Sequence, residues 1–198
     1  MSDGDAGLVA ALRAGDEEAF ATLVTRYHPR LLRFAESLVP NRAVAEEVVQ
    51  DTWLGVIRGI DRFEGRSSVK TWLFRILVNR ARSAGAREHR SDPLGGDVLG
   101  DVLDGRFGAT GAWIDPPLPW VDAVEDRIVA DSIAQRIKGC LGQLPEGQRQ
   151  VFTLRDIDGI DPAEVCDLLD VSAGNQRVLL HRARAHIRSL ISAEMGRD

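Results

Sequence analysis

The stretch DPAEVCDLLDVSAGNQRVLLHRARAHIRSLI, Asp161 to Ile191, decides how this chain folds. It reads as one helix from Asp161-Pro162 to Leu169, a short connection over Asp170-Val171-Ser172-Ala173-Gly174, and a second helix from about Ala173 to Ile191. Those are the proportions of a helix-turn-helix. On the second helix Leu180, Ala183, Ile187 and Leu190 recur at helical spacing and predict an inward face. A turn of about 100° per residue then puts Arg177, Val178, His181, Arg184 and Arg188 on the other side, with Arg182 at its flank. Between residues 173 and 191 there are four arginines and no acid, whereas the preceding helix carries Asp161, Glu164, Asp167 and Asp170.

An acid-free arginine face on the second helix is what a reader of the DNA major groove needs. A guanidinium forks onto guanine O6 and N7, and residues near the helix start, here from Asn175, reach base edges while later ones meet phosphate. Surface arginine is common, so the row alone also fits a solvated face; the helix-turn spacing before it favours DNA. Nothing marks His181 as a metal ligand.

Working outward, the C-terminal part predicts two more helices. One covers about 125–142 and ends near Gly142; the next starts at Pro145-Glu146 and presents Val151, Phe152 and Leu154. Upstream lies a segment without helical periodicity, Ser91 through Asp126, rich in glycine and holding Pro116, Pro117 and Pro119. It reads as a linker whose Trp113 and Trp120 point to docking of its second half, on the chain itself or on a partner.

Before the linker the pattern is again helical. Asp16-Glu17-Glu18 opens a segment to about Val39, with Phe20, Leu23, Val24, Tyr27, Leu31, Leu32, Phe34 and Leu38 at spacings of three and four. Pro29 inside it predicts a kink or a break. Asn41 caps a second helix to about Ile60, whose apolar face is Val44, Val48, Trp53, Leu54 and Ile57. Ser67 or Ser68 caps a third, with Trp72, Leu73, Ile76 and Leu77 inward. No strand alternation and no internal repeat is seen, so the fold class is all-α: two small helical domains, 1–90 and 126–198, joined by a flexible acidic linker over 91–125.

Composition agrees. Hydrophobic residues are 44% and charged ones 28%, a globular balance, and the 6% aromatic content favours helix over sheet. The net charge of −5 is uneven along the chain. Residues 1–90 hold 14 basic and 12 acidic side chains, 91–126 hold 1 and 8, and 127–198 hold 10 of each. The acidity therefore belongs to the middle segment and not to the helical blocks. The start lacks a basic, then apolar, secretory pattern, and no run of about 18 apolar residues exists. The chain is expected in the cytoplasm, with no membrane contact of its own. Cys140 and Cys166 have no CxxC partner and read as thiols of a reducing compartment, not as a zinc or disulfide site. No metal or cofactor is expected, and no nucleophile-base set, paired carboxylates or phosphate loop marks an enzyme.

A second basic region runs from Arg66 to Arg90, with Arg66, Lys70, Arg75, Arg80, Arg82, Arg87 and Arg90 against one acid, Glu88. Trp72, Phe74 and Asn79 are interleaved. Basic groups with aromatics and an amide suit a strand of unstacked bases. For Trp72 and Phe74 a place in the core is the stronger reading; for Asn79-Arg80-Ala81-Arg82, where the apolar pattern stops, it is the weaker one.

Taken together, the two regions resemble the extracytoplasmic-function sigma factors of bacterial RNA polymerase. Ala45-Glu46-Glu47-Val48-Val49-Gln50-Asp51-Thr52-Trp53, then Asp61-Arg62-Phe63, then Lys70-Thr71-Trp72-Leu73-Phe74-Arg75-Ile76-Leu77-Val78-Asn79 is similar to that family's first domain. Leu144-Pro145, Arg149-Gln150-Val151-Phe152, Gly159, Ala163-Glu164-Val165, Leu168, Val171-Ser172 and His181-Arg182-Ala183-Arg184 are similar to its second.

The resemblance implies that the second helix docks on the clamp coiled coil of core polymerase through Glu47, Gln50, Asp51 and Leu54. The polymerase flap, promoter DNA and an anti-sigma factor are further partners it implies. It also implies a pocket near Asn79, helped by Phe63 and Ile76, for a flipped base of the −10 element, with Lys70, Arg80, Arg82 and Arg87 on the same DNA. Positions matching Arg177, Val178, His181 and Arg182 read the −35 element. The sequence departs from the family pattern at Ser83, usually Asp, at Ala86-Arg87, often an Arg pair, and at Asn175-Gln176, more often Thr-Val, which leaves the promoter sequence open. A helix-turn-helix activator that binds DNA without core polymerase is the alternative, and a protein that occupies polymerase without directing initiation is a third.

Overall fold

The computed structural model describes residues 3–88 and 139–195. The expected linker, with Trp113 and Trp120, and most of the helix expected over about 125–142 lie outside the described residues. Among the described residues the regular structure is helical throughout.

The N-terminal unit has four helices: α1 Asp3–Arg13, α2 Glu17–Ala35, α3 Arg42–Gly59 and α4 Val69–Glu88. Each start has a local cause. Asp16 accepts from the backbone N–H groups of Glu18 and Ala19 at 2.9 and 3.0 Å, and Asn41 accepts from that of Val44 at 3.0 Å. Of the two serines before α4 it is Ser68 that caps, its Oγ accepting from Thr71 N–H at 3.1 Å. A short polar side chain here takes up a donor that the first helical turn leaves orphaned.

Two expectations are corrected. Helix α1 precedes the first expected one; its Val9 and Leu12 enter the core, and Arg13 donates to the carbonyls of Ile60 and Phe63 at 3.3 and 2.6 Å. Of the kink or break expected at Pro29 the break is absent, since α2 runs unbroken through it. Pro29 and Thr25, whose carbonyl loses its donor, both lie on the exposed side, so water can replace the missing bond.

The C-terminal unit contains α5 Glu146–Phe152, continued by a π-helical turn over Thr153–Ile157, then α6 Pro162–Leu169 and α7 Ala173–Met195. Pro145 is the N-cap of α5 and not its first helical residue. The π turn was not legible in the sequence. It delivers Asp158 and the left-handed Gly159, and Arg155 donates to the Ile160 carbonyl across that bend. Asp161 caps α6 through the Ala163 N–H at 2.9 Å, and Asp170 ends it in the left-handed conformation. That residue makes the tight turn into α7.

The two units share a core. Leu23, Leu31, Phe34, Val49, Val56, Leu73, Phe74 and Leu77 form its N-terminal part, and Leu154, Ile160, Val165 and Leu168 join the same buried cluster. Helix α6 lies against α4. A second cluster, built from Cys140, Leu141, Leu144, Val151, Phe152, Leu180, Ala183 and Ile187, holds α5 to α7.

The edge-to-face pair of Phe34 and Phe74, 5.5 Å between centroids, sits at the centre of the first cluster. Phe34→Ala should cost about 3–5 kcal/mol. Urea unfolding should show a lower midpoint at unchanged slope; an unaltered midpoint would mean that the ring carries no packing energy.

Candidate nucleic-acid and polymerase interfaces

Helix α7 follows its expected wheel. Leu180, Ala183 and Ile187 are buried and Leu190 half-buried, while Asn175, Arg177 and Arg188 are exposed and Val178, His181 and Arg182 half-buried. Ser172 Oγ accepts from Asn175 N–H at 3.2 Å and caps the start. The two residues that depart from the family pattern are separated by the fold: Asn175 faces solvent, while Gln176 turns inward.

Arg184 is the correction on this face. Its Nε and Nη2 donate to the two carboxylate oxygens of Asp156, each at 2.7 Å, a bidentate pair with the π turn. That hydrogen bond raises its pKa against the opposing effect of burial. The guanidinium counted on the outward row is thus largely neutralised by an acid 28 positions earlier, which a helical wheel cannot register. Arg177 and Arg188 remain as exposed cations, separated by about 16 Å of helix at ~1.5 Å per residue.

Helix α4 presents two faces with different surroundings. Trp72, Ile76, Asn79 and Ser83 follow one another along one side. Trp72 packs on the buried Phe63, ring centroids 5.0 Å apart, Asn79 is exposed, and Ser83 Oγ donates to the Asn79 carbonyl at 2.9 Å. Gly55 of α3 lets α4 approach: a Cβ there would meet Ile76 Cγ2 at 3.0 Å and Arg80 Nη2 at 3.6 Å. Phe63, Trp72, Ile76, Asn79 and Arg80 therefore occupy one neighbourhood where α4 meets α3. Phe74 is core.

Away from that side, the half-buried Lys70 and the exposed Arg82 each bond to the C-terminal unit. Lys70 Nζ donates to the carbonyls of Asp158 and Gly159, and Arg82 Nη2 to that of Leu168 at 3.2 Å. Thr71 Oγ1 meets Glu164 Oε2 at 2.9 Å, and Gln150 Nε2 donates to the Ser37 carbonyl at 2.9 Å. The basic run read as one surface is thus divided. Arg87 lies within α4, and its side chain is outside the described residues.

Asp158 stands at the same junction. Its carboxylate is 1% exposed, 3.8 Å from Arg30 Nη1, with Arg33 and Lys70 as the other nearby cations. Neither oxygen accepts a hydrogen bond among the described residues. Desolvation outweighs the three cations and pushes its pKa from 3.8 up to about 6.

On α3, Glu47, Gln50 and Leu54 are exposed and Asp51 half-buried, one polar stripe along the helix. Leu54 and Ile57, expected inward, are 47% and 56% exposed; Ala45, Val48, Val49, Thr52, Trp53 and Val56 hold the core instead. The correction follows from helical phase: Val49, Trp53 and Val56 point to α2 and α4, leaving Leu54 and Ile57 on the far side. Ile57 borders an apolar groove over Leu12, Phe20, Val56 and Ile60, rimmed by Asp16 and Glu17. Among the described residues no three His, Cys, Asp or Glu side chains gather as a metal site, and no helix is long and apolar enough to cross a membrane.

A helix-turn-helix with Arg177 and Arg188 exposed on its second helix, on a chain whose other half joins a basic helix edge to a mixed polar and apolar stripe, has the make-up of a DNA-binding transcription protein. Known proteins narrow the class. The models for sigma-70 region 2 and sigma-70 region 4 match residues 23–91 and 134–187. Relatives named ECF RNA polymerase sigma-E factor, from Salmonella typhimurium and from Escherichia coli K12, are each 32% identical over 184 residues, 92% of this chain and 92% of theirs. Among solved structures, CnrH in complex with the cytosolic domain of CnrY aligns with TM-score 0.56 and 25% identity, over 96% of this chain and 99% of that one. The sigma factor RpoE of Bartonella quintana, in complex with the anti-sigma factor NepR, shares the fold at TM-score 0.56 and 24% identity, over 87% and 96%. The chain belongs to the extracytoplasmic-function sigma factors of the sigma-70 family; it is an alternative sigma factor, a transcription initiation factor.

The buried carboxylate makes stability depend on pH. With its pKa raised in the folded state, Asp158 takes up a proton more readily when buried than when exposed, so the folded form gains stability as pH falls through about 6 towards 3.8. Thermal unfolding should show a higher midpoint at pH 5.5 than at pH 7.5, and Asp158→Asn should flatten that difference. A pH response identical in wild type and Asp158→Asn would show that Asp158 contributes nothing to it, and a fall on acidification that Asp158→Asn abolishes would show that the charged form is the favoured one.

Proposed function

We propose that this sigma factor divides its work as its two helical units are divided: residues 1–90 bind core polymerase and the −10 element, residues 126–198 read the −35 element, and residues 91–125 connect them. The observation that carries this is the pairing, on one chain, of the exposed Arg177 and Arg188 of α7 with the Asn79 neighbourhood on α4. The stripe of Glu47, Gln50, Asp51 and Leu54, extended by Ile57, supports docking on the clamp coiled coil of polymerase, and the C-terminal unit docks on the flap. Phe63, Ile76 and Asn79, with Arg80 and Arg87, hold a flipped −10 base. Flipping costs a few kcal/mol, which the pocket offsets and so stabilises melted DNA. The chain itself catalyses no reaction and needs no cofactor. It acts in the cytoplasm, and an anti-sigma factor restrains it, as NepR is paired with the Bartonella sigma factor.

Run-off transcription with purified core polymerase tests the reading as a whole: initiation should appear only when this chain is added. Within that assay Asn79→Ala should lower open-complex formation more than promoter binding, seen as weaker permanganate reactivity of −10 thymines. Equal reactivity in variant and wild type would move the base to another residue.

On α7, Asn175, Arg177, Val178, His181 and Arg182 are the readers, and Arg188 and Arg184 meet phosphate, Arg184 only on releasing Asp156. A forked Arg–guanine contact is worth about 1–3 kcal/mol of discrimination. Arg177→Ala should therefore relax preference at one −35 position in selections on randomised DNA. Arg188→Ala should weaken all sequences alike and lower the salt slope by about one. A uniform loss from both variants would overturn the division into readers and positioners.

A further inference from the structure

A small cavity lies between the end of α2 and the C-terminal unit, and its walls are cationic. Arg33, Glu36 and Ser37 line it from one side, and Gly142, Arg149 and Thr153 from the other. Its volume is about 250 Å³. That is several times the ~30 Å³ share of one water, and less than the ~300 Å³ at which pockets for drug-sized ligands begin. Neither arginine belongs to the residues proposed above to read DNA or to dock on polymerase.

Among the described residues neither guanidinium donates a hydrogen bond or joins an ion pair. The Nε of Arg149 is buried and lacks an acceptor. A buried donor left so costs its full desolvation, and an oxygen inside the cavity is the partner it calls for. Arg33 feels the charge of Asp158, but that carboxylate stands 3.8 Å from Arg30 and accepts no hydrogen bond. Glu36, the acid on the wall, is held by Arg42 at 3.3 Å. The end of α2 carries partial negative charge. Its carbonyls at Leu32, Phe34 and Ala35 are nevertheless bonded to following N–H groups, and that of Ser37 to Gln150 Nε2. Arg26 and Arg30 precede Arg33 along α2 at spacings of four and three, which adds positive potential to that side. The balance in the cavity is therefore positive: two guanidiniums face one carboxylate that is already paired.

We propose that this cavity binds a small phosphorylated anion, free diphosphate or the phosphate end of a nucleotide, between Arg33 and Arg149. A guanidinium presents a planar fork that matches carboxylate or phosphate oxygens. Two forks on separate elements distinguish the two. A carboxylate has one charge and two oxygens in one plane, enough for a single fork, whereas a phosphoryl group offers tetrahedral oxygens and about two charges to both. The Thr153 hydroxyl on the same wall makes no hydrogen bond among the described residues and supplies a further donor. Ser37 supplies none, because its Oγ already donates to the Phe34 carbonyl at 2.7 Å. Since the walls come from both units, the bound anion stabilises the folded chain as its concentration rises.

Calorimetric titration of the full-length chain at fixed ionic strength tests the site, with inorganic phosphate, diphosphate and ADP as probes. Diphosphate should bind saturably at one site and more tightly than phosphate. Arg33→Gln and Arg149→Gln should each weaken it about ten-fold, the loss of one charge-assisted hydrogen bond. Arg26→Gln removes the same charge outside the cavity and should stay within about two-fold of wild type, because salt screens an exposed cation. ADP binding more tightly than diphosphate assigns the ligand to nucleotides, and the reverse order assigns it to the free anion. Either order supports the site when the two cavity variants weaken both probes. A second measurement needs no variant: butanedione modification of wild-type arginines, read by mass spectrometry. Diphosphate should slow the reaction at Arg33 and leave Arg26 unchanged. Binding that never saturates, an equal loss in Arg26→Gln, or an Arg33 rate that diphosphate does not alter each overturns the proposal. The protection result stands even if a substituted chain fails to fold.

Discussion

Burial of Leu154, Ile160, Val165 and Leu168 against a core built from α2, α3 and α4 is the constraint on which the rest of this structure depends. Side chains of this size contribute about 1.5–3 kcal/mol each when taken fully out of water. Once they are seated, α6 must cross α4, the Asp158–Gly159 bend must approach Lys70, and Arg82 must lie beside the end of α6. The polar contacts across the seat supply direction more than strength. Each exchanges water for a carbonyl, a net gain of about 1 kcal/mol at most for a neutral partner and somewhat more for a charged one.

The seat also explains where charge is spent. A basic protein edge facing DNA would ordinarily keep its cations solvated. Here Lys70 and Arg82 bind backbone oxygens, Arg184 binds Asp156, and Arg30 stands 3.8 Å from a carboxylate. Exposed among the described residues are Asn175, Arg177 and Arg188 on α7, and Arg75, Asn79 and Arg82 on α4. The polar stripe of α3, with the exposed Leu54 and Ile57, lies on a different helix from the seat.

Within each helix the sequence was a sufficient guide. Periodicity located α2, α3, α4, α6 and α7, because an amphipathic helix writes its buried face every three or four residues. Asn41 was legible as a cap, and Ser67 or Ser68 as the next one, because capping is satisfied within three residues. The wheel of α7 put Leu180, Ala183 and Ile187 inward and Arg177 and Arg188 outward, and so it stands.

What failed to be legible was whatever depends on a second element. Leu54 and Ile57 look like core until the positions of α2 and α4 fix which side of α3 is covered. Helix α1 has few large apolar residues, and its place follows from Val9, Leu12 and the Arg13 bonds to a loop some fifty residues away. The π turn, the Arg184–Asp156 pair and the buried Asp158 arise from contacts that no local spacing encodes. By itself the sequence determined α2, α3, α4, α6 and α7, the Asn41 cap, the outward Arg177 and Arg188 of α7 and the family. Only the tertiary structure decided which cations are available to DNA, because a cation's availability depends on the acids and carbonyls that folding brings beside it from distant parts of the chain.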